Sequence, residues 1–375
     1  MRRALYAFSG DPVTKGHLAI IERASHMYDE LLVAIGNNAA KSYLFSQAER
    51  VEMAKSATAT LKNVRVMGFT GLLVDFAWEQ GATVIVRGLR NREDFEFEQT
   101  FSQLCMSQQL PLELVYLFAR PELAHISSSA VKELQANQGL LQEYVPLVVK
   151  QRLEDRLSGQ KLLGITGEIG AGKSYVAEHI AKLCQERREP CHIVELDDLG
   201  HEVLSGEALP QYLEVRREII SEFGEAVKNP DGTINRHELG GLVFSDAAQM
   251  KKLNEIMYQP LLVRLRHHLL GKKGLILIVA ALTAEFGIAG LTNNHVVLVS
   301  RDPHTQRESL LARGLDEQQI DRRLASQWNT GEKRAKLQEA IAREGYGMLW
   351  EMENDSSEKV LTQLRDMLRH FGISD

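Results

Sequence analysis

The stretch GITGEIGAGKS at residues 164–174 constrains this chain more than any other. Read from Gly167, it satisfies G-x-x-x-x-G-K-S/T at every fixed position. An apolar run at 162–165 leads into it, and YVAEHIAKLC at 175–184 follows with helical periodicity. Strand, glycine-rich loop and helix form the context in which this motif cradles phosphate. Gly167, Gly170 and Gly172 let the backbone turn its N–H groups inward, and the helix N-terminus adds partial positive charge. Lys173 is placed to reach the β- and γ-phosphates of a nucleotide, and the Ser174 hydroxyl to ligate Mg²⁺. A glycine-rich turn with a chance lysine explains neither the spacing nor the flanking elements. The motif predicts nucleotide phosphate binding and leaves the reaction open.

The loop accounts for little of a 375-residue chain, which is long enough for two or three domains. A formal net charge of -6 argues against a nucleic-acid-binding surface but permits a local basic pocket. Cys105, Cys184 and Cys191 have no metal-binding or CxxC spacing, so reduced thiols and a cytoplasmic location are expected. No signal peptide is visible, and the apolar run at 275–282 is too short to span a bilayer. It suits a central strand of a parallel sheet, and no membrane association is expected.

Before the loop, apolar strands alternate with helical stretches. Strands are expected at 1–8, 30–35, 64–66, 83–86 and 112–118. Helices are expected at 17–27, 47–60, 72–80, 94–109, 129–137 and 140–157. The pattern is α/β with a parallel sheet, whose ligands sit beyond the carboxyl ends of strands. Polar residues collect at those ends: Ser9, Asp11, Thr14 and His17; Lys41; Arg87 and Arg90; and Ser127, Ser128 and Ser129 at a helix start. Taken singly, the serines are helix caps and the histidine a surface residue. Together they describe a cationic cleft suited to polyphosphate.

On the motifs DPVTKGH (11–17), LFSQAERVEMA (44–54), GLLVDFA (71–77), VRGLRNREDFEFE (86–98) and ISSSAVKEL (126–134), residues 1–158 resemble phosphopantetheine adenylyltransferase. The resemblance implies a Rossmann-like nucleotidyltransferase that moves AMP from ATP onto 4′-phosphopantetheine. Its T-x-G-H signature is Thr14-Lys15-Gly16-His17. It implies that His17 stabilises the α-phosphate and that Lys41 holds both reacting phosphates. Arg90 and Arg87 would serve the acceptor and nucleotide sides. Ser127 to Ser129 would cradle the β- and γ-phosphates. Ser9, Asp11, Thr14, Gly16 and Glu98 complete the ATP site, and Ser9, Leu73 and Cys105 line the acceptor site. A divalent cation bridging the ATP phosphates is also implied.

Two departures stand out in this half. The family order of glycine, threonine or serine, phenylalanine and aspartate becomes Phe8-Ser9-Gly10-Asp11, an exchange of volume between neighbours. It reads either as compensated packing or as a narrowed nucleotide pocket. Cys105 and Met106 replace an asparagine–arginine pair of the pantetheine wall.

Residues 155–161 (DRLSGQK) read as a short polar link. Beyond it, strands are expected at 192–196, 275–279 and 295–299, and helices at 211–224, 236–244, 247–270 and 305–331. Glu195, Asp197 and Asp198 end a strand near the phosphate loop, which suits Mg²⁺ handling or activation of a hydroxyl, or else a helix cap. On the phosphate loop, DGTINRHEL (231–239) and ARGLDEQQIDRRLASQ (312–327), residues 161–372 resemble dephospho-coenzyme A kinase. The resemblance implies a P-loop kinase with a parallel sheet and a helical lid, acting on the 3′-hydroxyl of dephospho-CoA. Asp197 would bind and deprotonate that hydroxyl, and Arg236 would lie near the acceptor. Lys173 and Arg313 would stabilise the transferring phosphoryl group, and Ser174, Glu195 and Asp197 would serve the metal. Ala281, Gln259 and Ser309 depart from the pattern, Ser309 standing where a lid-helix arginine is usual.

The first family's product is the second family's substrate. A fused enzyme for two successive steps of coenzyme A synthesis is therefore expected, using ATP and Mg²⁺. A homo-oligomer is compatible with the first resemblance. The alternative keeps only the adenylyltransferase active and makes the P-loop half a nucleotide-binding regulatory or interaction module.

Overall fold

The computed structural model describes residues 1–373 except 39, 40, 207, 208, 245, 355 and 356. The chain divides into two compact units, Met1–Leu153 and Glu154–Asp375. This division falls slightly before the link expected at 155–161. That segment is folded: residues 154–158 form a π-helical turn, and Gln160, 1% exposed, already belongs to a strand. The Gln160 amide donates to the Leu269 and Lys272 carbonyls, so its polarity serves burial rather than solvation.

The first unit contains β1 (Arg3–Phe8), α1 (Lys15–Met27), β2 (Glu30–Ile35), α2 (Gln47–Ala57), β3 (Val64–Gly68) and α3 (Leu73–Glu79). It continues with β4 (Val84–Leu89), α4 (Arg92–Met106), β5 (Glu113–Phe118), α5 (Ser128–Ala136) and α6 (Leu147–Leu153). All pairings are parallel, in the order β3-β2-β1-β4-β5. Alternation along β1 loads both faces of the sheet. Ala4 and Tyr6 pack with Ile20, Ile21 and Ala24 of α1, whereas Leu5 and Ala7 pack with Val74, Ala77 and Cys105. The order reverses between β1 and β4, which opens a crevice beyond their carboxyl ends. The helix expected at 140–157 begins only at Leu147, after Pro146; residues 142–145 turn instead.

The second unit contains β6 (Gln160–Gly167), α7 (Lys173–Glu186), β7 (Cys191–Glu195), α8 (Leu196–Ser205), α9 (Pro210–Phe223), α10 (Arg236–Val243) and α11 (Ala247–Leu269). Then come β8 (Gly274–Val279), β9 (His295–Ser300), α12 (Pro303–Ala312), α13 (Glu317–Ala325), α14 (Thr330–Glu344), β10 (Met348–Glu353) and α15 (Ser357–His370). Its parallel sheet runs β10-β9-β6-β8-β7, so the strand feeding the phosphate loop is central. The single charged helix expected at 305–331 is α12, α13 and the first residues of α14. Gly314 turns the chain with φ +84, Asp316 caps α13, and Asn329 then caps α14. Strand β10 and helix α15 were not expected from the sequence. Trp350 and Met352 of β10 and Val360, Leu364, Met367 and Leu368 of α15 join the core around α7. Among the described residues no helix is long and apolar enough to cross a membrane.

Candidate active sites

In the first unit, Thr14 caps α1 and forms a capping box with His17. The Thr14 backbone N–H donates to His17 Nδ1 at 3.0 Å. An acceptor Nδ1 places the proton of the neutral ring on Nε2. Burial pulls the His17 pKa down to about 4, and the charges of Arg90 and Lys41 add to the shift. The imidazole is therefore a neutral Nε2–H donor at physiological pH. The Phe8 ring stacks on it, with centroids 4.5 Å apart.

The fold brings Arg90 and Lys41 close enough to act on His17, although they follow different strands. Lys41 is exposed, and Arg90 makes a two-point pair with Asp94 at 2.9 and 3.0 Å. Ser127 caps α5 by accepting the Ala130 N–H, Ser128 donates to the Pro12 carbonyl, and Ser129 is exposed. Thus the start of α5 is joined to the loop after β1. Gly16 follows the cap within the first turn of α1, and the half-buried Ser9 directly follows β1. Leu73 and the buried Cys105 lie in one apolar cluster, whereas Met106 is exposed.

Three expected ligands are engaged by the protein itself. Asp11 accepts the N–H groups of Leu44 and Phe45 at 3.0 and 2.9 Å and pairs with Lys132 at 3.0 Å. Arg87 donates through Nε and Nη2 to Glu98, and through Nη1 to the Ala7 carbonyl. Both Glu98 oxygens are thereby occupied.

Sequence reasoning missed Arg50, Asp94 and Lys132. Arg50 is 1% exposed and donates to the carbonyls of Ser9, Gly36 and Phe45, tying the loops after β1 and β2 together. Its position inside the LFSQAER stretch was the one available signal, because a buried arginine leaves no mark in hydrophobic periodicity.

In the second unit, the phosphate loop links β6 to α7. Gly167, Gly170 and Gly172 have φ of +151, +79 and +95. A Cβ on Gly167 would lie 2.2 Å from the Val299 carbonyl oxygen, and one on Gly172 would lie 2.0 Å from Asn354 Nδ2. Positive φ favours glycine at both positions, and at Gly167 the backbone contact requires it as well. Lys173 Nζ folds back onto the carbonyls of Gly167 and Glu168 at 3.1 and 3.0 Å. Burial lowers its pKa to about 8, opposed by Asp197 and Glu195 and reinforced by Lys333 and Arg313. The expected set of Lys173, Glu195, Asp197 and Arg313 thus shares one electrostatic neighbourhood.

Ser174 Oγ donates to Glu195 Oε1 at 2.9 Å. These hard oxygen donors suit Mg²⁺, with Asp197 two residues on. Among the described residues no group of three His, Cys, Asp or Glu side chains could hold a metal alone. Arg236 Nη1 lies 3.1 Å from His201 Nδ1, at the start of α10 facing α8.

Segments after β9 grip the loop, among them Gln327 at the end of the quoted 312–327 stretch. Glu168 Oε1 accepts the Thr330 N–H and hydroxyl, Gln327 Oε1 accepts the Ile169 N–H, and Gln306 Nε2 donates to the Ile169 carbonyl. The Ala281 carbonyl accepts from both Thr166 and the fully buried Lys333, which also pairs with Glu285. The backbone oxygen makes these bonds, so alanine at this departure still supports the loop. Ser309 accepts from Arg301 Nη1 at 2.7 Å, and Gln259 precedes the proline within α11.

Residues 9–134 match the cytidylyltransferase-like family and residues 161–345 match the dephospho-CoA kinase family. Phosphopantetheine adenylyltransferase of Nocardioides sp. strain JS614 is 44% identical over 158 residues, covering 42% of this chain and 99% of that protein. The chain belongs to the phosphopantetheine adenylyltransferase family.

A dephospho-CoA kinase domain follows the adenylyltransferase domain in the same chain, so the architecture is a fusion. The presence of both domains disfavours a chain with one catalytic half and a P-loop accessory module. Families of these two kinds use ATP or a related nucleotide and act on small molecules. The crystal structure of TT1252 from Thermus thermophilus aligns at 25% identity over 56% of this chain and 97% of that one, with a TM-score of 0.43, too low to bear on the fold.

Proposed function

We propose that the chain catalyses two successive reactions. The first half moves AMP from ATP to 4′-phosphopantetheine, giving dephospho-CoA and pyrophosphate; the second half phosphorylates the dephospho-CoA 3′-hydroxyl with ATP. The reading is carried by the presence in one chain of two families' domains, the product of the first being the substrate of the second. Its setting is the cytoplasm, where ATP is abundant and Cys105, Cys184 and Cys191 stay reduced.

In the first reaction an acceptor phosphate oxygen attacks the ATP α-phosphorus, and the bond to the α–β bridging oxygen breaks. Both partners are anions, so repulsion and misalignment dominate the barrier. Lys41 and Arg90 neutralise and align the two phosphates. His17 donates Nε2–H to an α-phosphate oxygen and keeps that proton throughout. Ser127, Ser128 and Ser129 hold the leaving pyrophosphate at the start of α5, and Ser9, Thr14 and Gly16 line the nucleotide. Arg87, Glu98 and Asp11 hold these groups in place. Leu73 and Cys105 form the apolar wall of the acceptor site.

In the second reaction the 3′-hydroxyl oxygen attacks the γ-phosphorus and ADP leaves. Asp197 accepts the hydroxyl proton, Arg236 orients the acceptor, and Lys173 and Arg313 stabilise charge on the moving phosphoryl group. Ser174, Glu195 and Asp197 would hold Mg²⁺, which would supply neutralisation of phosphate charge.

Incubating the protein with ATP, Mg²⁺ and 4′-phosphopantetheine and following products by mass tests the reading. Dephospho-CoA should appear first and coenzyme A after it. Accumulation of dephospho-CoA alone would overturn the kinase half, and no adenylylated product would overturn the whole.

A further inference from the structure

Phe8 is the last residue of β1 and points to the same sheet face as Tyr6. Tyr6 and Phe8 stack at 5.0 Å with planes 29° apart, and Phe8 and His17 stack at 4.5 Å with planes 17° apart. The three rings form one continuous stack that starts in the core and ends at the cleft. Room for the Phe8 ring comes from its neighbour. A Cβ at Gly10 would lie 3.1 Å from Phe8 Cε2 and 3.3 Å from Ile35 Cδ1. Gly10 also has φ +64, which disfavours any larger residue. Phe8 therefore occupies the space a side chain at position 10 would need, and it touches two apolar clusters at once.

His17 is thus held twice. Bonds from Thr14 fix its Nδ1 edge, and the Phe8 ring covers one face. An imidazole held only at Nδ1 could still rock about that bond and admit water to the open face. We propose that Phe8 is a positioning residue for adenylyl transfer, fixing the plane of the His17 imidazole and keeping water from one face of it. This rests on the reading that His17 serves that reaction. The exchange of volume between positions 8 and 10 then belongs to the catalytic apparatus. Charge near the ring comes from Arg90 beyond β4 and Lys41 beyond β2, both of which disfavour an imidazolium independently of Phe8.

Full-length wild type, Phe8→Leu and Phe8→Tyr decide the matter, with carbon-13 NMR of labelled His17 against pH and steady-state kinetics of dephospho-CoA formation. With the stack removed, Phe8→Leu should raise the His17 midpoint from about 4 toward 6.5. It should lower kcat about tenfold, as loss of orientation does, with KM for ATP changed far less. Phe8→Tyr, which keeps a stacking ring, should retain both values. A folded Leu variant with unchanged midpoint and kcat overturns the proposal, as does a folded Tyr variant that behaves like Leu. If Leu does not fold, Phe8→Met, which keeps bulk without a ring plane, takes its place. If wild type forms no dephospho-CoA, the functional reading fails by itself. The NMR midpoint of the variants, which needs no substrate, then supports or overturns the control of His17 by Phe8.

Discussion

Ser174 Oγ and Glu195 Oε1 are 2.9 Å apart, which joins the first turn of α7 to the carboxyl end of β7. The two belong to adjacent layers of the P-loop unit and meet where a hydroxyl and a carboxylate can share a hard cation. Glu195→Ala and Ser174→Ala should each raise the Mg²⁺ concentration giving half-maximal coenzyme A formation. The double variant should fall short of the summed effects, because the residues act through one contact. A Mg²⁺ titration of the second reaction alone, starting from dephospho-CoA, measures this. An additive double variant would separate the two residues.

The two reactions should be separable by single substitutions. His17→Ala should lower dephospho-CoA formation roughly 10²–10³-fold, the loss typical of one donor to a developing oxyanion. Coenzyme A formation from added dephospho-CoA should be unchanged. Lys173→Ala should do the reverse. Product analysis from each starting substrate checks both variants, and loss of the opposite reaction in a folded protein would refute this division.

Removing one member of a buried ion pair leaves the other without a partner. The Arg87 and Glu98 side chains are 17% and 7% exposed, and Arg87 also holds the Ala7 carbonyl. Glu98→Ala should therefore destabilise the first unit by about 3–5 kcal/mol. Replacing both by apolar residues of similar volume should restore much of that loss. Hydrogen exchange at β1 and β4 amides in the full chain reads the local effect. An unshifted Glu98→Ala protein would show the pair to be dispensable.

Lys173 gives a sign-definite pH prediction. Burial, the largest influence, lowers its pKa from 10.5 to about 8, so between these values it is mostly neutral in the free protein. Polyphosphate favours the ammonium form and raises the pKa again. ATP binding at pH 8.5 should therefore take up a proton, and binding at pH 6.5 should take up none at this residue. Calorimetry in two buffers of different ionisation enthalpy measures the uptake, and Lys173→Ala should abolish it.

Legibility in the sequence followed the range of the interactions. The phosphate loop could be read in full because its glycines, lysine and serine are contiguous and their roles are set by backbone geometry. The stretch from Thr14 to His17 stands out as a signature, whereas the capping box that joins its two ends is a finding of the structure. Asp11 is expected in the nucleotide site from its place beyond the first strand and from the resemblance; its ion-pair partner Lys132 lies 121 residues away, and no local pattern announces that pairing. Strand β10 and helix α15 went unassigned because their apolar residues gain meaning only against α7.

The sequence alone determined two α/β halves and a glycine-rich phosphate-loop motif at Gly167–Ser174, because periodicity, glycine geometry and motif spacing are local properties of a chain. Only the tertiary structure decided which of these residues share an environment. The order β3-β2-β1-β4-β5 sets Arg90 and Lys41 around His17, and the adjacency of β7 to α7 sets Glu195 on Ser174. The exchange of volume between Phe8 and Gly10 was legible in the sequence; only the packed structure shows the Phe8 ring beside Gly10 and against His17, which is compensated packing.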